Sequence, residues 1–159
     1  MTPPPEDRSG VRIFPPLIFA AGLAAGFSLQ WLYPVTIVAE AFEDWLRVAG
    51  IVFLLGWLVL ALWALGTFRR IGTSANPAGP TTSLAFEGPY RFTRNPMYLG
   101  LVLLTIGVAL VANALWPLIL LPLVLYVLVR AVVEPEERYL SRKFGEPYRE
   151  YMVRVRRWL

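Results

Sequence analysis

The sequence predicts an all-α, polytopic membrane protein with about four transmembrane helices, and three observations carry that prediction. Of 159 residues, 57% are hydrophobic and only 16% are charged, against roughly 25% charged in soluble domains. The apolar residues gather into four long runs separated by breaks rich in Pro, Gly or charge. The Lys and Arg residues lie almost wholly on one side of those runs.

The first run, Phe14 to Tyr33, is long enough to cross ~30 Å of hydrocarbon at ~1.5 Å per residue. Ala39-Glu40-Ala41 resembles a leader cleavage site. A leader's apolar core spans only about 7–15 residues, however, so the run reads as a retained helix. Gly22 and Gly26, beside Ala21 and Ala25, form a stripe of small residues that predicts close approach of a second helix. An acidic connector (Glu40, Glu43, Asp44) leads to the second span, Arg47 to Phe68. Its Trp57 and Trp63 read as packing or lipid contacts.

From Thr67 to Pro96, four prolines (Pro77, Pro80, Pro89, Pro96) and three glycines (Gly72, Gly79, Gly88) predict a loop without regular structure. Met97 to Ala112 and Leu115 to Val133 then form a tight helical hairpin turning at Asn113, with Pro117 in the first turn of the returning helix. Pro135 is expected to kink or end that helix. A charged helix follows from Glu136 to Phe144, stopped by Gly145. Pro147 opens a last helix whose Tyr148, Tyr151, Met152 and Val155 share one face, predicting an interfacial helix with an aromatic underside. Glu134 lies four residues from both Arg130 and Arg138, the spacing of a helix-stabilising ion ladder. Arg138, Arg142, Lys143, Arg156 and Arg157 read as anchors in lipid head groups. The chain thus divides into a flexible tail (1–13), a two-helix scaffold (14–68), a cytoplasmic loop (69–96) and a hairpin with C-terminal ligand-binding segments (97–159), all within one membrane domain.

Of the fifteen Lys and Arg residues, only Arg47 borders the connectors after the first and third runs. The positive-inside rule therefore predicts both termini and the middle loop in the cytoplasm, with the protein in the cytoplasmic membrane of a prokaryote. The net charge of +4 beside apolar spans fits anionic lipid head groups as partners rather than nucleic acid.

The chain has no histidine and no cysteine, which excludes imidazole bases, thiolate nucleophiles and the usual ligands of a transition metal; no metal is expected. No dinucleotide fingerprint, phosphate loop or nucleophile elbow occurs. The two stretches richest in charge and aromatics, Glu87 to Tyr98 and Glu134 to Arg157, flank the hairpin. A hairpin returns its ends to one face of the membrane, so these stretches should meet. Together they offer Arg91 and Arg94, Glu136 and Glu137, the amide of Asn95, and the rings of Tyr90, Tyr98, Tyr148 and Tyr151. Such a set suits a ligand bearing both a carboxylate and a cation. Adjacent Glu136 and Glu137 point about 100° apart on a helix and cannot act as one face-to-face pair.

The ordered motifs GPYRFTRNPMYLG (Gly88 to Gly100) and EERYLSRKFGEPYREYMVRVRRW (Glu136 to Trp158) resemble the isoprenylcysteine carboxyl methyltransferase and phospholipid methyltransferase family. The resemblance covers about half the chain, from roughly Leu84 onward. It implies an integral membrane methyltransferase that uses S-adenosylmethionine on an amphiphilic acceptor, with Asn95, Pro96, Met97, Tyr98 and the Glu136-Glu137 pair at the cofactor pocket and the C-terminal segments enclosing it. Isoprenylcysteine-type members carry His where Asn95 stands; Asn is similar to phospholipid-methylating members. Their Arg before the acidic pair falls on Val132. Tyr90, Arg91, Tyr148 and Tyr151 complete the expected cofactor set. Glu137 and Arg94 are the expected catalytic residues, Glu137 accepting a proton should the acceptor be a protonated amine. The rival readings are a non-catalytic membrane adaptor or lipid-binding subunit and a sterol-type membrane reductase.

Overall fold

The computed structural model describes residue 11, residues 13–72 and residues 83–159. The expected tail up to Arg12, apart from Val11, and the part of the middle loop with Pro77, Gly79 and Pro80 lie outside the described residues. Among those described there are six α-helices and no strand.

Helix α1 (Pro15–Leu32) opens on Pro15-Pro16, whose missing N–H groups fall where a helix leaves its first donors unpaired anyway. Helix α2 (Glu43–Ile71) is longer at both ends than the expected Arg47 to Phe68. Glu43 and Asp44 sit in its first turn and Arg69 and Arg70 in its last, each on the side that favours the helix dipole. Helix α3 (Pro96–Val111) begins at Pro96 and α4 (Trp116–Leu128) returns from it. Three helices are long and apolar enough to cross a membrane: α1, α2 with the turn before it, and the unbroken helix Trp116–Phe144. At 16 residues, α3 is shorter and spans about 24 Å. The chain is a polytopic, all-α membrane protein.

Of the two outcomes expected at Pro135, a kink or an end to the fourth helix, the end does not occur, and the helix is instead locally widened just before it. A π-helical turn, Val129–Val133, joins α4 directly to α5 (Glu134–Phe144), and the Glu134 N–H reaches the carbonyl of Val129 five residues back. A proline ring clashes with the carbonyl four residues earlier; the wider turn removes that clash without breaking the rod. One inserted residue also rotates everything after it by about 100°. That rotation sets which way α5 presents its carboxylates. Gly145, at φ 60° and ψ −127°, stops α5 in a conformation that favours glycine, and α6 (Glu146–Arg154) follows with Pro147 in its first turn.

Helix α1 packs on α4 and α2 on α3. The small-residue stripe works as predicted: a Cβ on Gly26 would lie 2.8 Å from the Pro117 Cα, and Gly22 meets Val124. Phe19, Tyr98, Leu121, Leu128, Val132 and Val133 form the core between α1, α3 and the long helix. At the end remote from the charged segments, Asn113 does more than turn the hairpin. Its Oδ1 accepts from the Ile37 and Val38 N–H groups at 2.9 and 3.1 Å, while its Nδ2 donates to the Val38 carbonyl and to Glu43 at 3.0 and 3.1 Å.

Candidate functional site

The opposite end of the bundle holds a cavity of about 450 Å³, within the roughly 300–1,000 Å³ usual for small-molecule sites. Its lining comes from α1, α2, the loop before α3, and from α3, α5 and α6. Phe14, Pro15 and Pro16 contribute from the start of α1, and Trp57, Ala61, Leu65 and Phe68 from α2. Ser83, Leu84 and Ala85 follow from the loop, Leu101 from α3 and Leu140 from α5. The polar lining is Tyr90, Arg94, Asn95, Tyr98, Glu136, Tyr148 and Tyr151, joined by Pro96 and Met97. The hairpin therefore does bring the two charged stretches together.

Two site expectations fail geometrically. Arg91 is exposed and does not line the cavity, because the short 3₁₀ turn Gly88–Arg91 buries Tyr90 and directs its neighbour outward. Glu137 does not line it either. Its carboxylate is held by Arg157, with Nε to Oε1 at 3.1 Å and Nη2 to Oε2 at 2.6 Å, and by Arg94 at 3.3 Å. Both oxygens of that carboxylate are thus engaged by guanidinium groups, and neither is turned to a ligand in the cavity. Glu136, by contrast, faces the cavity and accepts a 2.9 Å hydrogen bond from the Tyr98 hydroxyl. The adjacent acids thus separate, as their helical spacing predicts, but with the opposite assignment.

Arg157 is likewise no mere lipid anchor, since Glu137 engages it bidentately; that bonding raises its pKa further. Arg130 and Arg138 pair with Glu134 at 3.1 and 3.9 Å, forming the expected ladder outside the cavity. Val132, where the resemblance puts an Arg, is fully buried in the core.

The aromatic face of α6 is turned into protein. Tyr148 and Tyr151 are buried, the Tyr151 hydroxyl donates to the Tyr90 carbonyl at 2.7 Å, and Phe86 meets the Tyr151 ring edge-on at 4.9 Å. An interfacial underside is therefore not what these tyrosines make. Burial pushes the hydroxyls of Tyr90 and Tyr148 far above the ordinary phenol range and that of Tyr151 to about 12. All three are neutral phenols at physiological pH. Asn95 is buried, with its Nδ2 donating to the Arg157 carbonyl at 2.9 Å. Arg94 has only 12% of its side chain exposed, and its Nε is buried without a hydrogen-bond partner.

The α2 wall escaped sequence reading. Trp57, Ala61, Leu65 and Phe68 recur at helical spacing, but in a span apolar on all sides nothing distinguishes a cavity-facing stripe from a lipid-facing one. Trp57 is a lining residue, whereas Trp63 contacts Phe92 at 6.2 Å.

Fold and site together define a helical membrane protein with a composite small-molecule cavity at one end of its bundle. The family described as phospholipid methyltransferase matches residues 45–147, well over half the chain, and the protein belongs to that family of membrane methyltransferases. A Haemophilus influenzae protein described as uncharacterized is 41% identical over an alignment of 68 residues, with 40% of this chain and 100% of that protein covered. No solved structure matches.

Proposed function

We propose that the protein transfers a methyl group from S-adenosylmethionine to an amphiphilic acceptor, best a phospholipid amine, and that the cavity binds both. The observation that carries this reading is the pairing of Glu136 with Tyr98 at the polar end of a cavity whose remaining walls are mostly apolar. The donor is a zwitterion bearing a sulfonium and an aromatic base, and the lining suits each part. Arg94 has an unused buried N–H for its carboxylate; Glu136 and the faces of Tyr90, Tyr148 and Tyr151 attract positive charge. When bound, the cofactor supplies an already activated methyl group.

The chain's own residues then face an orientation problem: aligning the acceptor and excluding water. Among the described lining residues Glu136 is the sole carboxylate. It takes the proton from an ammonium acceptor, the role expected of Glu137. The apolar wall from α1 and α2 receives the acceptor's hydrocarbon part, and the cofactor enters from the cytoplasmic side.

Calorimetric titration with S-adenosylmethionine, followed by labelled methyl transfer to phosphatidylethanolamine, prenylcysteine and small thiols, tests the reading. Binding that weakens in Asn95→Ala and Glu136→Gln, with label in the lipid amine, is expected. Absent binding, or binding indifferent to both substitutions, overturns it. No label on any acceptor favours a lipid-binding subunit, and nicotinamide oxidation a reductase.

A further inference from the structure

The five residues after α6, Val155 to Leu159, adopt no helix, lie beyond the residues matched by the family, and are nonetheless fastened to the site. The Arg94 N–H donates to the Arg156 carbonyl at 3.0 Å. The Arg157 carbonyl accepts twice, from the Thr93 hydroxyl at 3.1 Å and from Asn95 Nδ2 at 2.9 Å. The Arg157 guanidinium grips Glu137, and Trp158 packs on the apolar core. Thr93, 1% exposed, also accepts the backbone N–H of Asn95 at 3.2 Å. Its hydroxyl thereby fixes both the Asn95 backbone and the carbonyl that Asn95 must meet.

An amide carries two N–H donors and one acceptor oxygen, and here one N–H is committed to the Arg157 carbonyl, which fixes the orientation of the amide. With Nδ2 turned to that carbonyl, the Oδ1 of Asn95, a cavity-lining residue, is the acceptor the amide offers a ligand. We infer that Thr93 and the Arg157 carbonyl are positioning groups that make Asn95 a hydrogen-bond acceptor, so that the site selects a ligand N–H, whether the ammonium or the exocyclic amine of the methyl donor. This rests on the cofactor reading above.

The test uses the full chain in detergent. Thr93→Val keeps the shape of threonine and removes its hydroxyl; Thr93→Ser keeps the hydroxyl. One neutral hydrogen bond corresponds to a change of about two- to tenfold. Thr93→Val is expected to raise KM for S-adenosylmethionine by that factor with kcat changed less, and Thr93→Ser to restore it. Should Thr93→Val not fold, deletion of residues 156–159, which removes the accepting carbonyl, carries the same expectation. Methylthioadenosine, which lacks the ammonium, separates the two amines. If its affinity falls equally in Thr93→Val, the exocyclic amine is the group read; if it is indifferent, the ammonium is. A wild-type KM in Thr93→Val or in the deletion, alongside a raised KM in Asn95→Ala, overturns the positioning role while leaving the cofactor site standing. A wild-type protein that binds no S-adenosylmethionine overturns both.

Discussion

The Tyr98 hydroxyl donates to the Glu136 carboxylate at 2.9 Å, joining the first turn of α3 to the first turn of α5 across the cavity. The two residues stand 38 positions apart in the chain and meet only because the α3–α4 hairpin folds back on itself. A hydrogen bond to a charged acceptor is worth about 1.5–3 kcal/mol. Tyr98→Phe keeps the ring, so it should lower the methyl-transfer rate about tenfold or more, with only a modest drop in unfolding temperature. Initial rates and thermal unfolding of the same preparation check this.

Glu136 and Glu137 should part company under matched substitution. Glu136→Gln is expected to abolish most transfer while leaving the fold intact. Glu137→Gln leaves Arg94 and Arg157 without their shared counter-charge. A fully buried pair broken this way costs about 3–5 kcal/mol; Arg157 is 35% exposed, so the expected loss is on the order of 2 kcal/mol. Denaturation curves and rates measured on both variants decide the assignment, and equal stability losses would refute it.

Gly26→Leu forces a side chain into the backbone of α4 at Pro117. Overpacking of this kind costs about 1–3 kcal/mol. The variant should unfold at lower temperature and, because α1 also supplies Phe14, Pro15 and Pro16 to the cavity, should bind the donor more weakly.

Asn113→Ala removes four hydrogen bonds at the far end of the bundle from a residue held at φ 48°. Unfolding temperature should fall while donor affinity in the folded fraction stays unchanged. Asn113→Gly, which relieves the positive φ but not the lost bonds, should recover only part of the stability.

The chain lacks cysteine, so single cysteines report topology cleanly. Asp44→Cys, at the Asn113 end of the bundle, and Glu87→Cys, at the cavity end, are both exposed sites. The proposed orientation, with both termini and the cavity in the cytoplasm, predicts that a membrane-impermeant maleimide added to intact cells labels the first and not the second. The reverse pattern would invert the proposed orientation.

What the sequence by itself determined is everything that depends on local composition. Apolar length defines the spans, Asn113 and its small neighbour the hairpin, Pro96, Pro147 and Gly145 the helix boundaries, and Gly22 and Gly26 the close crossing. These features answer to hydropathy and backbone sterics within a few residues, and motif order was enough to point to the family. Tertiary structure alone decided which way each helix turns. The π turn before Pro135 rotates α5 so that Glu136 faces the cavity and Glu137 faces two arginines; α2 offers Trp57, Ala61, Leu65 and Phe68 out of an undifferentiated apolar surface; and Arg157 crosses twenty residues to Glu137. Such choices rest on contacts between segments distant in the chain. A span that is apolar on every side gives no hint of its rotation, and a charged residue shows its type but not its partner.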